Sequence, residues 1–374
     1  MAIFDRTARG IARENRRIAA SMERNRNRRN APKKDYLTCM QDARNIAEID
    51  DLHTSFLTDE GVVRAVDGIS FDIPEGKTVC VVGESGCGKS VMSLSLMQLL
   101  PRPRGQIVAG TIRLNAEDGV YDIANTPEEV MQRLRGGAVS MIFQEPMTSL
   151  NPVLRVGEQV DEAVAVHNPD LPPAQVKART LELLSLVNIA SAEEVYQLFP
   201  HALSGGMRQR VMIAMALCGN PRLILADEPT TALDVTIQAQ VLELLRSLKE
   251  RLHAAVLLIT HDLGVVAEMA DLVVVLYAGR VVEKGTAEEI FLRPAHPYTV
   301  GLLASRPVIG RGNERLSSIP GVVPNPACLP AHCYFCARCT RRMAACEQGY
   351  PEGKSLSPTH WVSCYLYLGQ DKDV

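Results

Sequence analysis

The segment that most limits what this chain can fold into is Gly83-Glu-Ser-Gly-Cys-Gly-Lys-Ser90, which fits G-x-x-x-x-G-K-[ST]. Glycines let the backbone curl until several N–H groups face one anion. The residues before it, 78–82, are a continuous apolar run suited to a strand buried on both faces. Those after it, 91–100, are compatible with a helix whose positive end would point into the loop. Lys89 can reach β- and γ-phosphates, and the Ser90 hydroxyl can ligate Mg²⁺. The stretch Gly83, Glu84, Ser85, Gly86, Cys87, Gly88, Lys89, Ser90 and Val91 is therefore read as the contact with ATP. An ordinary glycine turn would require neither the strand before it nor the helix after it.

Further short apolar runs lie at 139–143, 223–226, 256–259 and 272–276, with helical stretches such as 236–252 between several of them. Strands alternating with helices predict an α/β fold with a mainly parallel sheet and helices on both faces. Residues 69–73 alternate like a half-buried strand, which fits a small antiparallel β subdomain. Residues 152–217 contain no good strand and read as helices, for example 174–187, so a helical subdomain is expected within the core. After about Gly285 prolines become frequent and a cysteine cluster follows. The expected divisions are a basic extension over 1–45, an ATPase domain over 46–285 with its helical subdomain at about 146–217, and a separate C-terminal cysteine-rich appendage over 286–374.

The formal net charge of −3 gives the chain no nucleic-acid footprint, yet the first 34 residues carry eleven basic side chains against three acidic ones. Phe4, Ile11 and Ile18 recur at intervals of seven, followed by Met22. That spacing admits a basic amphipathic helix for a membrane surface or a partner. The plainer reading is a disordered, solvated tail. No apolar run approaches the ~18–20 residues needed to span a bilayer, and the N-terminus lacks the apolar core of a secretory signal. A cytosolic location is the expectation.

The second chemical element is Leu223-Ile-Leu-Ala-Asp-Glu228, a buried strand ending in two acids. Ligands bind such sheets at this strand edge. Asp227 would hold Mg²⁺, and Glu228 would act as general base on the attacking water. Gln144 follows the run 139–143 and His261 follows 256–260. Alone, each reads as a surface residue. In this fold both strand ends converge on the γ-phosphate, where Gln144 could touch Mg²⁺ and the water, and His261 the phosphate. The catalytic candidates are thus Glu228, His261, Gln144 and Lys89, with Ser90, Gln144 and Asp227 for Mg²⁺.

Leu203-Ser-Gly-Gly-Met-Arg-Gln-Arg210, about 20 residues before the acidic strand, resembles the signature of ATP-binding-cassette (ABC) proteins, and Thr231-Ala-Leu-Asp234 resembles their D-loop. The resemblance implies that Ser204, Gly205 and Gly206 bind ATP held by an opposite cassette, with Asp234 at the same interface. Gln144-Glu-Pro-Met-Thr-Ser-Leu-Asn-Pro152, His296-Pro-Tyr-Thr299 and the tail from Ile319 through Cys339 are similar to the dipeptide and oligopeptide importer ATPases. That similarity implies an ATP-hydrolysing subunit, peripheral on the cytoplasmic side of the cell membrane. It would work with a second cassette, usually a different chain, two membrane permeases and an extracytoplasmic solute-binding protein. Nickel or glutathione importers share much of the pattern. A soluble ABC ATPase of translation or DNA repair has only the basic N-terminus in its favour. ABC proteins commonly stack adenine on an aromatic residue shortly before the loop; around residues 60–65 there is none, and Phe56 is the nearest.

Ten cysteines are present, six of them between Cys328 and Cys364. Cys80 and Cys218 sit in apolar runs and Cys87 fills an unrestricted position of the motif. In related importer ATPases a tail like this carries a [4Fe–4S] cluster, and by that resemblance Cys333, Cys339, Cys346 and Cys364 are the expected ligands. The spacing Cys333-x2-Cys336-x2-Cys339 also resembles the start of a ferredoxin-type run, which makes Cys336 an alternative ligand. Zinc and free thiols are the other readings, and a structural role is expected rather than redox catalysis.

Overall fold

The computed structural model describes residues 2–231, 233–305 and 318–368, with side chains from residue 10 onward except Met147. In chain order the strands are β1 (Asn45–Leu57), β2 (Val62–Pro74), β3 (Thr78–Val82), β4 (Gly105–Ala116), β5 (Gly119–Asp122), β6 (Val139–Ile142), β7 (Leu223–Asp227), β8 (Ala255–Ile259), β9 (Leu272–Tyr277), β10 (Arg280–Thr286), β11 (Gly353–Ser355) and β12 (Trp361–Ser363). They form a four-stranded sheet, β2-β1-β4-β5, and an eight-stranded sheet, β11-β12-β10-β9-β3-β8-β7-β6.

Every residue of β3, β7 and β8 is buried. The pleat splits these strands between two cores, because successive side chains leave on opposite faces. Cys80, Val82, Ile224, Ala226, Val256 and Leu258 face the helical subdomain. Val79, Val81, Leu223, Leu225, Leu257 and Ile259 face the antiparallel sheet. Full burial of such a side chain contributes about 1.5–3 kcal/mol, so both layers are held by one set of strands. This explains why the strands read as unbroken apolar runs rather than alternating ones.

Strands β6, β7, β8, β3 and β9 run parallel. Their register aligns Val81 and Asp227 with Ile259, and Ile142 with Ala226. Their C-terminal ends therefore meet at one edge, and the residues just beyond each strand become neighbours. Between β6 and β7 the chain forms the helices Val156–His167, Pro173–Leu186, Ala192–Gln197 and Gly205–Ala216, the expected helical subdomain.

The far end of the chain is joined to the eight-stranded sheet. β10 turns back from β9 through Ala278 and Gly279, both at positive φ (47° and 82°) as a two-residue hairpin demands. β12 then pairs with β10, setting Val362 opposite Glu283 and Trp361 opposite Lys284. Glu283 is fully buried. It accepts hydrogen bonds from Ala295 N–H at 2.7 Å, His296 N–H at 2.9 Å and His360 Nε2 at 2.7 Å.

Ala2–Arg26 is a helix rather than a disordered tail. Its attachments are polar. Asn15, 6% exposed, donates to Thr58 O at 2.8 Å and Gly61 O at 3.2 Å. Glu23 accepts from Arg102 at 2.7 Å and Gln106 at 2.8 Å, and Arg26 pairs with Glu128. Ile11 and Ile18 stay about two-fifths exposed while Asn15 and Ala19 are buried, so the face that docks is not the sevenfold apolar stripe. The Phe4 side chain lies outside the described ones.

Glu283→Ala should leave two backbone N–H groups and an imidazole without their acceptor. Urea unfolding is expected to show a loss of about 2–5 kcal/mol, whereas an unchanged midpoint would mean that β12 does not depend on this anchor.

Candidate nucleotide site

The loop after β3 takes positive φ at Gly86 (78°) and Gly88 (102°). A Cβ at Gly88 would lie 2.4 Å from Ala65 O, so β2 packs directly behind the curl. Gly88 also caps the helix Lys89–Leu96 without any side-chain hydrogen bond. The first-turn N–H groups are thus left to a ligand rather than to a capping side chain. Lys89 is 6% exposed, and its ammonium donates to Gly83 O at 2.8 Å and Glu84 O at 3.1 Å. The loop and its lysine form one folded-in unit.

Ser90 Oγ donates to Asp227 Oδ1 at 3.2 Å. Burial, with the neighbouring Glu228 charge adding to it, raises the Asp227 carboxyl above the usual carboxylate range, while Ser90 and Lys89 pull it back. A hydroxyl beside a desolvated carboxylate is a hard-oxygen pair that suits Mg²⁺, and a divalent cation there would offset the cost of the buried charge.

Glu228 stands at φ 46°, a left-handed conformation uncommon outside glycine, with its N–H donating to Ile259 O at 2.9 Å. This turn aims its carboxylate into the space between strand ends. Gln144 Nε2 donates to Glu228 Oε2 at 3.1 Å, Thr231 Oγ1 donates to the same oxygen at 2.9 Å, and His261 Nδ1 lies 3.2 Å from Oε1. The four residues come from the ends of β6, β7 and β8. The structure thus brings together Lys89, Ser90, Asp227, Glu228, Gln144 and His261. Sequence reasoning misses Thr231 as a partner of Glu228, although Thr231 opens the segment that resembles a D-loop.

Ser204 caps the helix Gly205–Ala216, its Oγ accepting from Met207 N–H at 3.3 Å, and Ser204 and Gly205 are exposed. Asp234 likewise caps Val235–Leu252 through Ile237 N–H at 3.0 Å. A Cβ on Gly206 would fall 2.7 Å from Ile237 Cγ2, so that glycine permits the two helix starts to touch. The helix start of the signature is exposed, and among the described residues no hydrogen bond joins 204–206 to its own loop, 83–90.

A family model described as "ABC transporter" matches residues 66–231, and one described as "Oligopeptide/dipeptide transporter, C-terminal region" matches 282–346. The oligopeptide transport ATP-binding protein AppD of Bacillus subtilis is 48% identical over 322 residues, covering 86% of this chain and 97% of its own. The chain belongs to the oligopeptide/dipeptide family of ABC transporter ATP-binding proteins. The dipeptide transport ATP-binding protein DppD of the same organism is 46% identical, covering 86% of this chain and 94% of its own length. Among solved structures, the dimeric cassette MJ0796 bound to ADP and Pi in a post-hydrolysis state is 26% identical with a TM-score of 0.57. It matches 64% of this chain and 98% of that one. As a member of this family the chain is an ATPase.

Two expectations for this ABC protein fare differently in the structure. Phe56 lies in β1 opposite Val63 and Gly105, and a Cβ on Gly105 would meet its ring at 3.1 Å. It is half-buried within the antiparallel sheet. The cysteines Cys333, Cys336, Cys339, Cys346 and Cys364 do gather at the C-terminal end. Their thiols act electrostatically on one another, and burial pushes Cys333 up to about 12 and Cys364 to about 11. None is paired in a disulfide, and among the described residues no group of three or more His, Cys, Asp or Glu is placed to hold a metal ion. The expected [4Fe–4S] ligand set is thus not assembled in this geometry, and no step is assigned to it.

Gly88→Ala is expected to weaken ATP binding at least about tenfold, since the added carbon must push the curl away from β2 at a backbone angle alanine resists. Equilibrium titration with MgATP reads this directly; unaltered affinity would show that the curl is not the phosphate cradle.

Proposed function

We propose that this chain is the ATP-hydrolysing subunit of an importer that takes up di- or oligopeptides across the cell membrane, bound peripherally on the cytoplasmic side. The observation that carries this reading is the meeting of Lys89, Ser90, Asp227, Glu228, Gln144 and His261 at one sheet edge in a member of this family. The peptide class rests on relatives named for oligopeptide and dipeptide transport, and nothing favours nickel, glutathione or nucleic acid as cargo or partner. Among the described residues no helix is long and apolar enough to cross a membrane, so the passage itself is assigned to two permease subunits, with an extracytoplasmic binding protein supplying solute.

In this reading the N–H groups of Gly83–Val91 and Lys89 bind the phosphates of ATP. Ser90, Gln144 and Asp227 would hold Mg²⁺, which would supply charge stabilisation on the phosphoryl oxygens. Glu228 accepts the proton of the attacking water. Its carboxylate is oriented by Thr231 and Gln144, while His261, about two-thirds exposed, reaches outward toward the γ-phosphate. Ser204, Gly205, Gly206 and Asp234 complete the site of a partner cassette. Closure around two nucleotides then favours one transporter state by differential affinity, and hydrolysis releases it. The divisions 1–45, 46–285 and 286–374 are kept as functional regions.

The iron–sulfur reading remains a proposal that rests on the spacing of the cysteines in the sequence alone. Anaerobic purification with iron and sulfide analysis tests it: both in roughly equal amounts, about four of each per chain, supports a [4Fe–4S] cluster, and zinc without sulfide sinks it. For the catalytic assignment, Glu228→Gln in the assembled transporter should lower turnover at least about 100-fold while ATP stays bound. Turnover near that of the parent protein would remove Glu228 from the role of base.

A further inference from the structure

The phosphate loop is braced from behind by the C-terminal region. Glu84, the second residue of the loop, is gripped by both terminal nitrogens of Arg338, at 2.7 and 2.9 Å. The Arg338 side chain is only 5% exposed. Its remaining donors are engaged too, Nε with Pro320 O at 2.9 Å, and the fork with Ile319 O at 3.2 Å and Tyr277 Oη at 3.3 Å. A guanidinium held on all sides is a fixed, planar clamp rather than a swinging charge.

The neighbours of Arg338 reach the same layer. Phe335 packs against Tyr277 and Tyr298, with ring centres 5.2 and 5.5 Å apart. Tyr298 is fully buried, and its hydroxyl accepts from Glu84 N–H at 2.8 Å. Tyr334 donates to Asp67 Oδ2 at 2.6 Å. Asp67 N–H in turn donates to Gly279 O at 2.8 Å, and Gly279 N–H donates to Cys87 O at 2.9 Å. Three side chains from one short segment, 334–338, thus bear on the loop or on residues of β2, β9 and the helix Pro297–Ala304 that surround it.

A carboxylate inside an anion-binding loop works against the loop. Left uncompensated beside a bound polyphosphate, in surroundings of effective dielectric ~20, it would weaken binding on the order of 10- to 100-fold. The bidentate contact cancels that charge and pulls the side chain to the rear of the loop.

We propose that Arg338 is a positioning residue for ATP: by neutralising Glu84 and clamping it against the C-terminal region, it keeps the loop 83–90 fit to receive polyphosphate. This rests on the assignment of 83–90 to the phosphates. The C-terminal region thereby takes part in the nucleotide site rather than merely trailing it.

The test uses the full chain in its assembled transporter and measures steady-state ATPase kinetics. Arg338→Met should raise KM for ATP about tenfold or more, with kcat held within about threefold. Arg338→Lys, which keeps the charge but loses the fork, should recover part of the loss. In a Glu84→Gln background, with no charge left to cancel, adding Arg338→Met should move KM by less than about threefold. The proposal is overturned if Arg338→Met leaves KM unaltered. It is equally overturned if the effect persists undiminished in the Glu84→Gln background, which would make Arg338 only an anchor of the C-terminal region. If Lys89→Ala left ATP binding intact, the assignment of the loop itself would fall, and the proposal with it.

Discussion

The central strands β3, β7 and β8 hold a single charged side chain, Asp227, and it stands at the very end of β7. All three are buried along their whole length on both faces, and a carboxylate or ammonium further inside them would lack solvation and partners. The register instead sets Asp227 level with Ile259 and Val81 level with Ile259. The first polar groups beyond each strand therefore emerge side by side. Ser90 against Asp227, and Gln144, Thr231 and His261 around Glu228, are consequences of that alignment. Moving any one strand by a residue would exchange its faces and its end together.

The same physics explains what the sequence reveals. Strand runs such as 78–82 and 223–227 are unbroken apolar text because both faces are covered, and the phosphate loop is legible because curl and charge demand glycine and lysine at set positions. The helical subdomain is readable from the absence of strand-like runs. Contacts made by polar side chains across long sequence distances leave no such pattern. Asn15 bonding to Thr58 and Gly61 fixes the N-terminal helix, while the stripe of Ile11 and Ile18, which periodicity does pick out, remains in solvent.

The C-terminal region shows the limit most clearly. Its cysteines attract attention because of their spacing, yet the residues among them do the joining: Tyr334 to Asp67, Phe335 to Tyr277 and Tyr298, Arg338 to Glu84. Arg338 lies 254 positions from Glu84, and no local rule links them. Likewise nothing in the text around Glu283 shows that β12 will extend the ATPase sheet beside it. An apparent appendage, set off by prolines, is continuous with the sheet that carries the site.

In the proposed function the site is half of a working unit, a reading supported by the exposed helix starts at Ser204 and Asp234 and by a loop that bonds to its own acid, Asp227. The most direct measurement of that claim is made on Ser204→Arg in the assembled transporter, comparing photolabelling of this chain by an azido-ATP with total ATP turnover. If Ser204 serves the partner's nucleotide, labelling of this chain stays within about twofold while turnover falls at least about 100-fold. Loss of this chain's own labelling, or turnover that does not change, would contradict the account.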